Sequence, residues 1–249
     1  MRHPRLLITR AEPEASRSAA WVTRLGGDPI LAPIRKGVAV ATPVPSRPAA
    51  LVATSARAFP LGAPIPEHWL DLPCLVVGEV TGDAARDAGF HDIRIAQGDA
   101  ASLARILADF GGKTLVYLAG EPRRPELESD AARLGIQLIP WLRYRLEDAV
   151  ELPEAARAAL AQNSCDAILH FSRESTASLL RLAREAGLES ALLRPVHACL
   201  SPAIAESVAQ QLKTQSTALR IAVAAERNTE ALIRAALAAC MHAIRRETD

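Results

Sequence analysis

At 249 residues, 49% apolar and 23% charged, the chain can build one large or two small globular domains and is too apolar for a disordered tail. Its 29 basic residues balance 28 acidic ones to a formal charge of +1, which excludes a general polycation for nucleic acid or a membrane surface. All the basic residues except Lys36, Lys113 and Lys213 are arginines, so an anion site here would be built from planar, bidentate donors.

Short β-rich apolar runs alternate with longer helical ones from end to end, the pattern of parallel sheets covered by helices. Strands are expected at Leu6–Ile8, Pro29–Ile34, Leu51–Ala53, Leu75–Val77, Ile93–Ile95, Leu115–Leu118, Gln137–Leu146, Ala167–Phe171, Val196–Leu200 and Leu219–Val223. Between them, helices show apolar faces at Ala15/Ala19/Val22, Leu103/Leu107/Phe110, Ile204/Val208/Leu212 and Ile233/Leu237/Met241/Ile244. The opening Leu6–Thr9 stretch is closed at once by Arg10, too brief for a signal peptide, and no run is long enough to span a bilayer. Cys74, Cys165, Cys199 and Cys240 are far apart, with no metal-ligand spacing, and read as buried thiols in a reducing cytosol. A cytoplasmic protein with no membrane contact is expected.

Ten strands are too many for one small sheet. Residues 46–139 hold enough consecutive β-α units for a complete domain, whereas the three strands after Glu151 need the two at the N-terminus to reach five. The expected division is a discontinuous α/β domain of residues 1–35 plus 150–249, an inserted α/β domain of residues 46–139, and linker strands at 36–45 and 140–149. A faint repeat, Ala50-Leu-Val-Ala-Thr-Ser55 against Ala167-Ile-Leu-His-Phe-Ser172, points to two related domains, and it aligns Gly78-Glu-Val-Thr81 with Ser201-Pro-Ala-Ile204.

In open parallel sheets ligands bind outside the carboxyl ends of the strands. Here those positions are repeatedly hydroxyls: Thr9, in a T-x-x-E capping-box pattern with Glu12, then Thr54 and Ser55, Thr81, Ser172 with Ser175, Ser201 before Pro202, and Asn228-Thr229. Singly, each reads as a helix cap. Together, several helix N-termini on one cleft would receive carboxylates or phosphates. Arg10, Arg57, Arg123, Arg124, Arg173 and Arg227 recur beside them.

The motifs of nucleotide binding, serine hydrolysis and zinc catalysis are all missing. His170 and His197, inside strands, read as satisfied core histidines. Tyr117 also lies inside a strand, while Tyr144, on the second linker, is the phenol expected to face a cleft.

The whole chain resembles the uroporphyrinogen-III synthase family. Leu6-Leu-Ile-Thr-Arg10-Ala-Glu-Pro is similar to its opening V-T-R-P turn, and Gly26–Ile34 to its second strand. Thr54-Ser55-Ala56-Arg57 is similar to its T-S turn, Val77-Gly-Glu-Val-Thr81 to its V-G-x-x-T, and Gly98–Leu103 to a later G-x-x-x-x-L. Tyr144-Arg145 resembles its linker Y-x, and Phe171-Ser172 the second-half equivalent. Each motif is short, and their order and spacing carry the likeness.

The resemblance implies two flavodoxin-like, doubly wound parallel-sheet domains joined by a two-stranded linker, with a deep, positive cleft faced by Thr81, Tyr144, Ser172 and Ser201. It implies conversion of hydroxymethylbilane, a linear tetrapyrrole with eight carboxylates, into uroporphyrinogen III, with ring D inverted through a spiro intermediate. The substrate loses its hydroxyl to give a reactive azafulvene that closes unaided without inversion, so the enzyme's work is to hold one conformation. No cofactor or metal is implied, and a monomer is expected. The resemblance makes Tyr144 the candidate for assisting departure of the hydroxyl. It makes Thr9, Arg10, Thr54, Ser55, Arg57, Thr81, Arg123, Arg124, Ser172, Ser175, Ser201 and Asn228 candidates for holding substrate. Two departures stand out: Ile204 replaces an expected hydroxyl, and Arg173-Glu174 replace small residues after Phe171-Ser172. They leave room for a divergent, non-catalytic tetrapyrrole- or anion-binding relative of the same fold.

Overall fold

The computed structural model describes residues 2–97, 100–123, 125–212 and 219–248. The chain opens with β1 (Arg5–Ile8), α1 (Glu14–Arg24), β2 (Asp28–Leu31), β3 (Arg35–Ala39), β4 (Ala50–Ala53), β5 (Cys74–Val77), α2 (Glu79–Asp87) and β6 (Ile93–Ala96). It continues with α3 (Ala100–Leu107), β7 (Thr114–Glu121), α4 (Glu126–Arg133), β8 (Gln137–Asp148), α5 (Glu154–Ala161) and β9 (Ala167–His170). It ends with α6 (Arg173–Glu185), β10 (Val196–Cys199), α7 (Pro202–Gln211), β11 (Ile221–Val223) and α8 (Thr229–Thr248). A 3₁₀ turn at Ala56–Ala58 matters below.

Two compact units result, one of residues up to Lys36 with those from Asp148 onward, the other of Gly37–Glu147. The first holds a parallel sheet in the order β2-β1-β9-β10-β11, which in sequence order is 2-1-3-4-5, the flavodoxin winding. In the second, the parallel strands run β6-β5-β4-β7-β8, the other doubly wound order, 3-2-1-4-5. The chain reverses between β1 and β9 in one sheet and between β4 and β7 in the other. β3, which sequence placed within the linker, edges the second sheet beside β8. Val40 N–H donates to Arg143 C=O and Ala149 N–H to Ile34 C=O, so one chain ascends as the other descends and the pairing is antiparallel.

Burial on both faces explains the unbroken apolar runs. In β1, Leu7 packs with Ile168 and the faces of α5, α6 and α7, while Leu6 and Ile8 turn to α1 and α8. In the second unit, Leu51, Ala53, Val116 and Leu118 line one face with Trp69 and Trp141, while Ala50, Val52, Leu115 and Tyr117 line the other with α3 and α4. The helical faces follow the expected spacing except in α8. There Ile233 is buried and Leu237 packs on the core, as expected, but Leu232, Ala236 and Cys240 are the other buried residues and Met241 lies exposed, because the inward stripe runs one residue earlier; the side chain of Ile244 lies outside the described residues.

His170 and His197 are core residues, as expected, and they form a chain across two strands. Thr176 Oγ1 lies 3.0 Å from His170 Nδ1, His170 Nε2 2.9 Å from His197 Nδ1, and His197 Nε2 2.8 Å from Leu192 C=O. The last partner can only accept, so His197 carries its proton on Nε2. Its Nδ1 then accepts from His170 Nε2–H, which leaves His170 Nδ1 an acceptor facing the Thr176 hydroxyl, whose one hydrogen is also claimed by the Ser172 carbonyl at 2.8 Å. Every ring nitrogen has a polar partner with both rings neutral, and the Thr176 hydrogen is the one shared between two acceptors. Burial lowers both histidines, helped at His170 by His197 and at His197 by Arg220, while the Leu192 carbonyl opposes the shift at His197.

A neutral form favoured on folding stabilises the protein above the ordinary histidine value of about 6.5, and the contribution is lost as pH falls below it, where the unfolded chain takes up protons first. Urea unfolding is therefore expected to show stability falling by up to about 1.4 kcal/mol per pH unit for each histidine between about pH 6.5 and 5. The slope should flatten in a His170→Gln/His197→Gln variant; the same slope in that variant would locate the proton uptake elsewhere.

Candidate functional site

Most of the sequence-selected residues stand at the carboxyl edges of the two sheets, and the local geometry there repeats. Ser55, Ser172 and Ser201 each follow a strand in extended conformation, at φ −149°, −151° and −155°, and each is the residue before a helical turn. The repeat between Ala50–Ser55 and Ala167–Ser172 is thus a shared backbone device.

In the first unit, Ser172 Oγ accepts from Ser175 N–H at 3.1 Å, capping α6. Ser201 begins α7 with Pro202 in its first turn, but its side chain makes no cap bond. Helices α6 and α7 follow adjacent strands and pack together, which sets two N-termini side by side. The Arg10 guanidinium stacks 4.2 Å from the Phe171 ring centroid, with Nη1 3.5 Å from Ser18 Oγ. The structure therefore brings Arg10 and the Phe171-Ser172 turn together. Glu174 enters the same turn: its carboxylate is held below the ordinary range, first by its own backbone N–H and next by the Ser172 hydroxyl. Asn228 starts α8, its Oδ1 accepting from Ala231 N–H and its Nδ2 donating to Glu226, both at 2.8 Å.

Three expectations change. Thr9 does not cap a helix: α1 begins at Glu14 with Pro13 before it, and Thr9 is buried, its carbonyl accepting from Ile34 N–H. The T-x-x-E spacing failed because α1 begins only at Glu14, too far along the chain for Thr9 to cap it, while Glu12 instead accepts from Ser16 N–H at 3.0 Å. Thr81 does not precede α2 but lies inside it, where it is 4% exposed; Gly78, with φ +76°, is the cap residue. Ile204 occupies the equivalent place in α7 and is 6% exposed in the core, so its missing hydroxyl removes no surface group.

In the second unit, Thr54 is exposed just past β4, and its Oγ1 lies 2.9 Å from Tyr117 Oη. Register pairs Val52 with Tyr117, so Thr54, two residues on, falls on the same face. Burial raises the Tyr117 phenol and Thr54 lowers it, with Tyr144, Glu128 and Arg123 acting more weakly. In sequence, Tyr117 reads as a core residue. Its ring is buried, but its hydroxyl belongs to the edge, which only the β4–β7 register reveals. Ser55 Oγ accepts from Arg57 N–H at 3.4 Å. Arg123 is committed to Glu128 at 2.8 Å, and Arg124 lies outside the described residues.

Tyr144 is buried against the face lined by Leu118 and Trp141. Beside it, Arg143 is 1% exposed, donating to the carbonyls of Ala58 (3.0 Å), Ala63 and Phe59 (3.5 Å) and stacking 4.3 Å from the Trp141 ring centroid. Burial lowers this guanidinium to about 10, so it stays charged at neutral pH. The four free thiols are buried, and desolvation pushes Cys74, Cys165 and Cys199 up to about 12 and Cys240 to about 11. They are poor nucleophiles. No group of three or more His, Cys, Asp or Glu residues suited to a metal occurs among the described residues, and no described helix is long and apolar enough to cross a membrane.

The family profile described as "Uroporphyrinogen-III synthase HemD" matches residues 16–234. Among solved structures, the uroporphyrinogen-III synthetase of Helicobacter pylori superposes with a TM-score of 0.62 at 15% identity, covering 96% of this chain and 99% of that one. That likeness establishes the shared fold. Uroporphyrinogen III synthase from the extremely thermophilic bacterium Thermus thermophilus gives a TM-score of 0.40 at 19% identity, covering 99% of this chain and 100% of that one. A mutant of it gives 0.47 at 18%, covering 98% of each. No curated protein sequence matches the chain significantly.

The unequal caps give a separable pair of variants. Ser172→Ala should destabilise the protein by about 1 kcal/mol through loss of its cap bond, whereas Ser201→Ala, which breaks no such bond, should change unfolding by less than about 0.5 kcal/mol. Equal losses in chemical denaturation would mean that Ser201 also caps its helix.

Proposed function

The chain belongs to the uroporphyrinogen-III synthase family, and we propose that it acts as the cyclising hydro-lyase of tetrapyrrole biosynthesis, closing hydroxymethylbilane with inversion of ring D. A cytoplasmic monomer suits this reading. The observation that carries it is the repeated edge of each sheet, where extended serines, exposed Thr54 and helix N-termini offer neutral donors to carboxylates. Such groups suit a substrate that reacts by itself once its hydroxyl leaves. What it lacks is a fixed conformation, and restricting its torsions before closure lowers the barrier to the inverted product relative to direct closure.

Thr54, Ser55, Arg57, Ser172, Ser175 and Asn228 are the edge groups proposed to share the substrate's carboxylates, with Ser201 largely covered at the start of α7, Arg10 supplying positive charge, and Arg123 doing so once it releases Glu128. Thr9 and Thr81 act beneath this surface. Tyr144 is the proposed acid for the departing hydroxyl: its phenol O–H can donate as the carbon–oxygen bond breaks, the proton leaving with the hydroxyl as water. Neither buried histidine competes for the role, since each nitrogen is already engaged.

One observation favours a non-catalytic relative: Glu174 already places its own carboxylate at the start of α6, where a substrate carboxylate would otherwise sit. Incubation with hydroxymethylbilane separates the two readings. The synthase forms type III product above the uncatalysed background, while a binding relative leaves only type I. Tyr144→Phe is expected to lower turnover by about 10²-fold with an unchanged circular dichroism spectrum. Undiminished turnover would remove Tyr144 from the donor role.

A further inference from the structure

Strand β8 breaks its alternation at one place, where the chain sets Tyr144. Up to Leu142 the register against β7 is regular, with Leu118 beside Trp141 and Ala119 beside Leu142; the next pair is Gly120 with Tyr144, so Arg143 is an extra residue. This is a β-bulge. In an unbroken strand, Trp141 and Arg143 would share one face and Tyr144 would turn to the other. The bulge puts Arg143 and Tyr144 on the same side, and both are buried there. The carbonyls of Ala58, Phe59 and Ala63 hold the extra residue's guanidinium in place.

On β7, Val116, Leu118 and Gly120 form one row along that face. The first two carry core side chains, and the third carries none. Tyr144 fills the vacated place so closely that a Cβ on Gly120 would overlap its Cζ and Oη and come within 2.6 Å of Cε1. Gly120 is not among the glycines of positive φ, so the backbone would accept alanine and the obstacle is Tyr144 itself.

We infer that Gly120 and the bulge at Arg143 are positioning residues for Tyr144: the bulge turns the phenol to this face, and the missing side chain lets its hydroxyl reach the carboxyl end of β7. The inference rests on Tyr144 acting as the acid, and it adds that the acid works only from the seat over Gly120. An added methyl group forces the ring aside, and displacement of a proton donor by about 1 Å costs up to about 10²-fold in rate.

Gly120→Ala, alone and combined with Tyr144→Phe, tests this. Because the chain contains only two tyrosines, fluorotyrosine labelling gives two fluorine NMR signals, assigned with Tyr117→Phe and Tyr144→Phe. Gly120→Ala is expected to move the Tyr144 signal and leave that of Tyr117 in place. It should lower kcat at least about tenfold, with KM changed less than about threefold, yet lower it less than about twofold further in the Tyr144→Phe background. An unmoved Tyr144 signal, unchanged kcat, or a full additional loss in the double variant would overturn the inference. Wild-type turnover in Tyr144→Phe alone would instead overturn the underlying acid assignment, whatever the fluorine spectra of Gly120→Ala show.

Discussion

The second unit is organised around a buried positive charge without a carboxylate partner among the described residues. Arg143 commits its guanidinium to backbone carbonyls of the Ala58–Ala63 stretch and lays its plane on Trp141. Desolvating an arginine is costly, and the fall of its pKa to about 10 reflects that cost. The offset is structural: two carbonyls at the end of a 3₁₀ turn and a third at Ala63 share one planar fork as their donor. The same contact fixes the stretch after Thr54-Ser55 to the strand carrying Tyr144. A lysine, with a single compact ammonium, could not reproduce that geometry.

The carboxyl edges carry the complementary half of the account. Both sheets end their strands beside the winding reversal in the same way, with an extended serine followed by a helical turn, after β4 in one unit and β9 in the other. Neutral hydroxyls and N–H groups of this kind bind carboxylates without adding a reactive centre. The remaining polar chemistry is kept quiet: the thiols stay protonated, and the histidine chain is neutral and closed at both ends. Such a surface suits a substrate whose own reactivity must be directed rather than raised.

The strands were legible because two-sided burial makes each of them an apolar run, so Leu6–Ile8 or Leu115–Leu118 can be read directly. β3 was harder to read, since an edge strand rich in charge and glycine, Arg35-Lys-Gly-Val-Ala39, carries no such signal. Hydroxyls after strands were found by residue type, yet type alone could not separate a surface residue such as Thr54 from a covered one such as Thr81. That difference depends on whether the helix begins before or after the hydroxyl. Tyr117 was missed because its ring and its hydroxyl belong to different environments. The bulge has no local signature: Trp141-Leu-Arg-Tyr-Arg145 reads as plain alternation, and only a partner strand with glycine at the facing position reveals the extra residue.

The central claim is that the folded chain outruns spontaneous closure by imposing a conformation. Titrating enzyme against a fixed amount of hydroxymethylbilane, and resolving the two isomers at completion, tests it most directly. The account predicts a type III fraction that rises with enzyme and saturates, with type I falling in step. A fraction independent of enzyme concentration would contradict it.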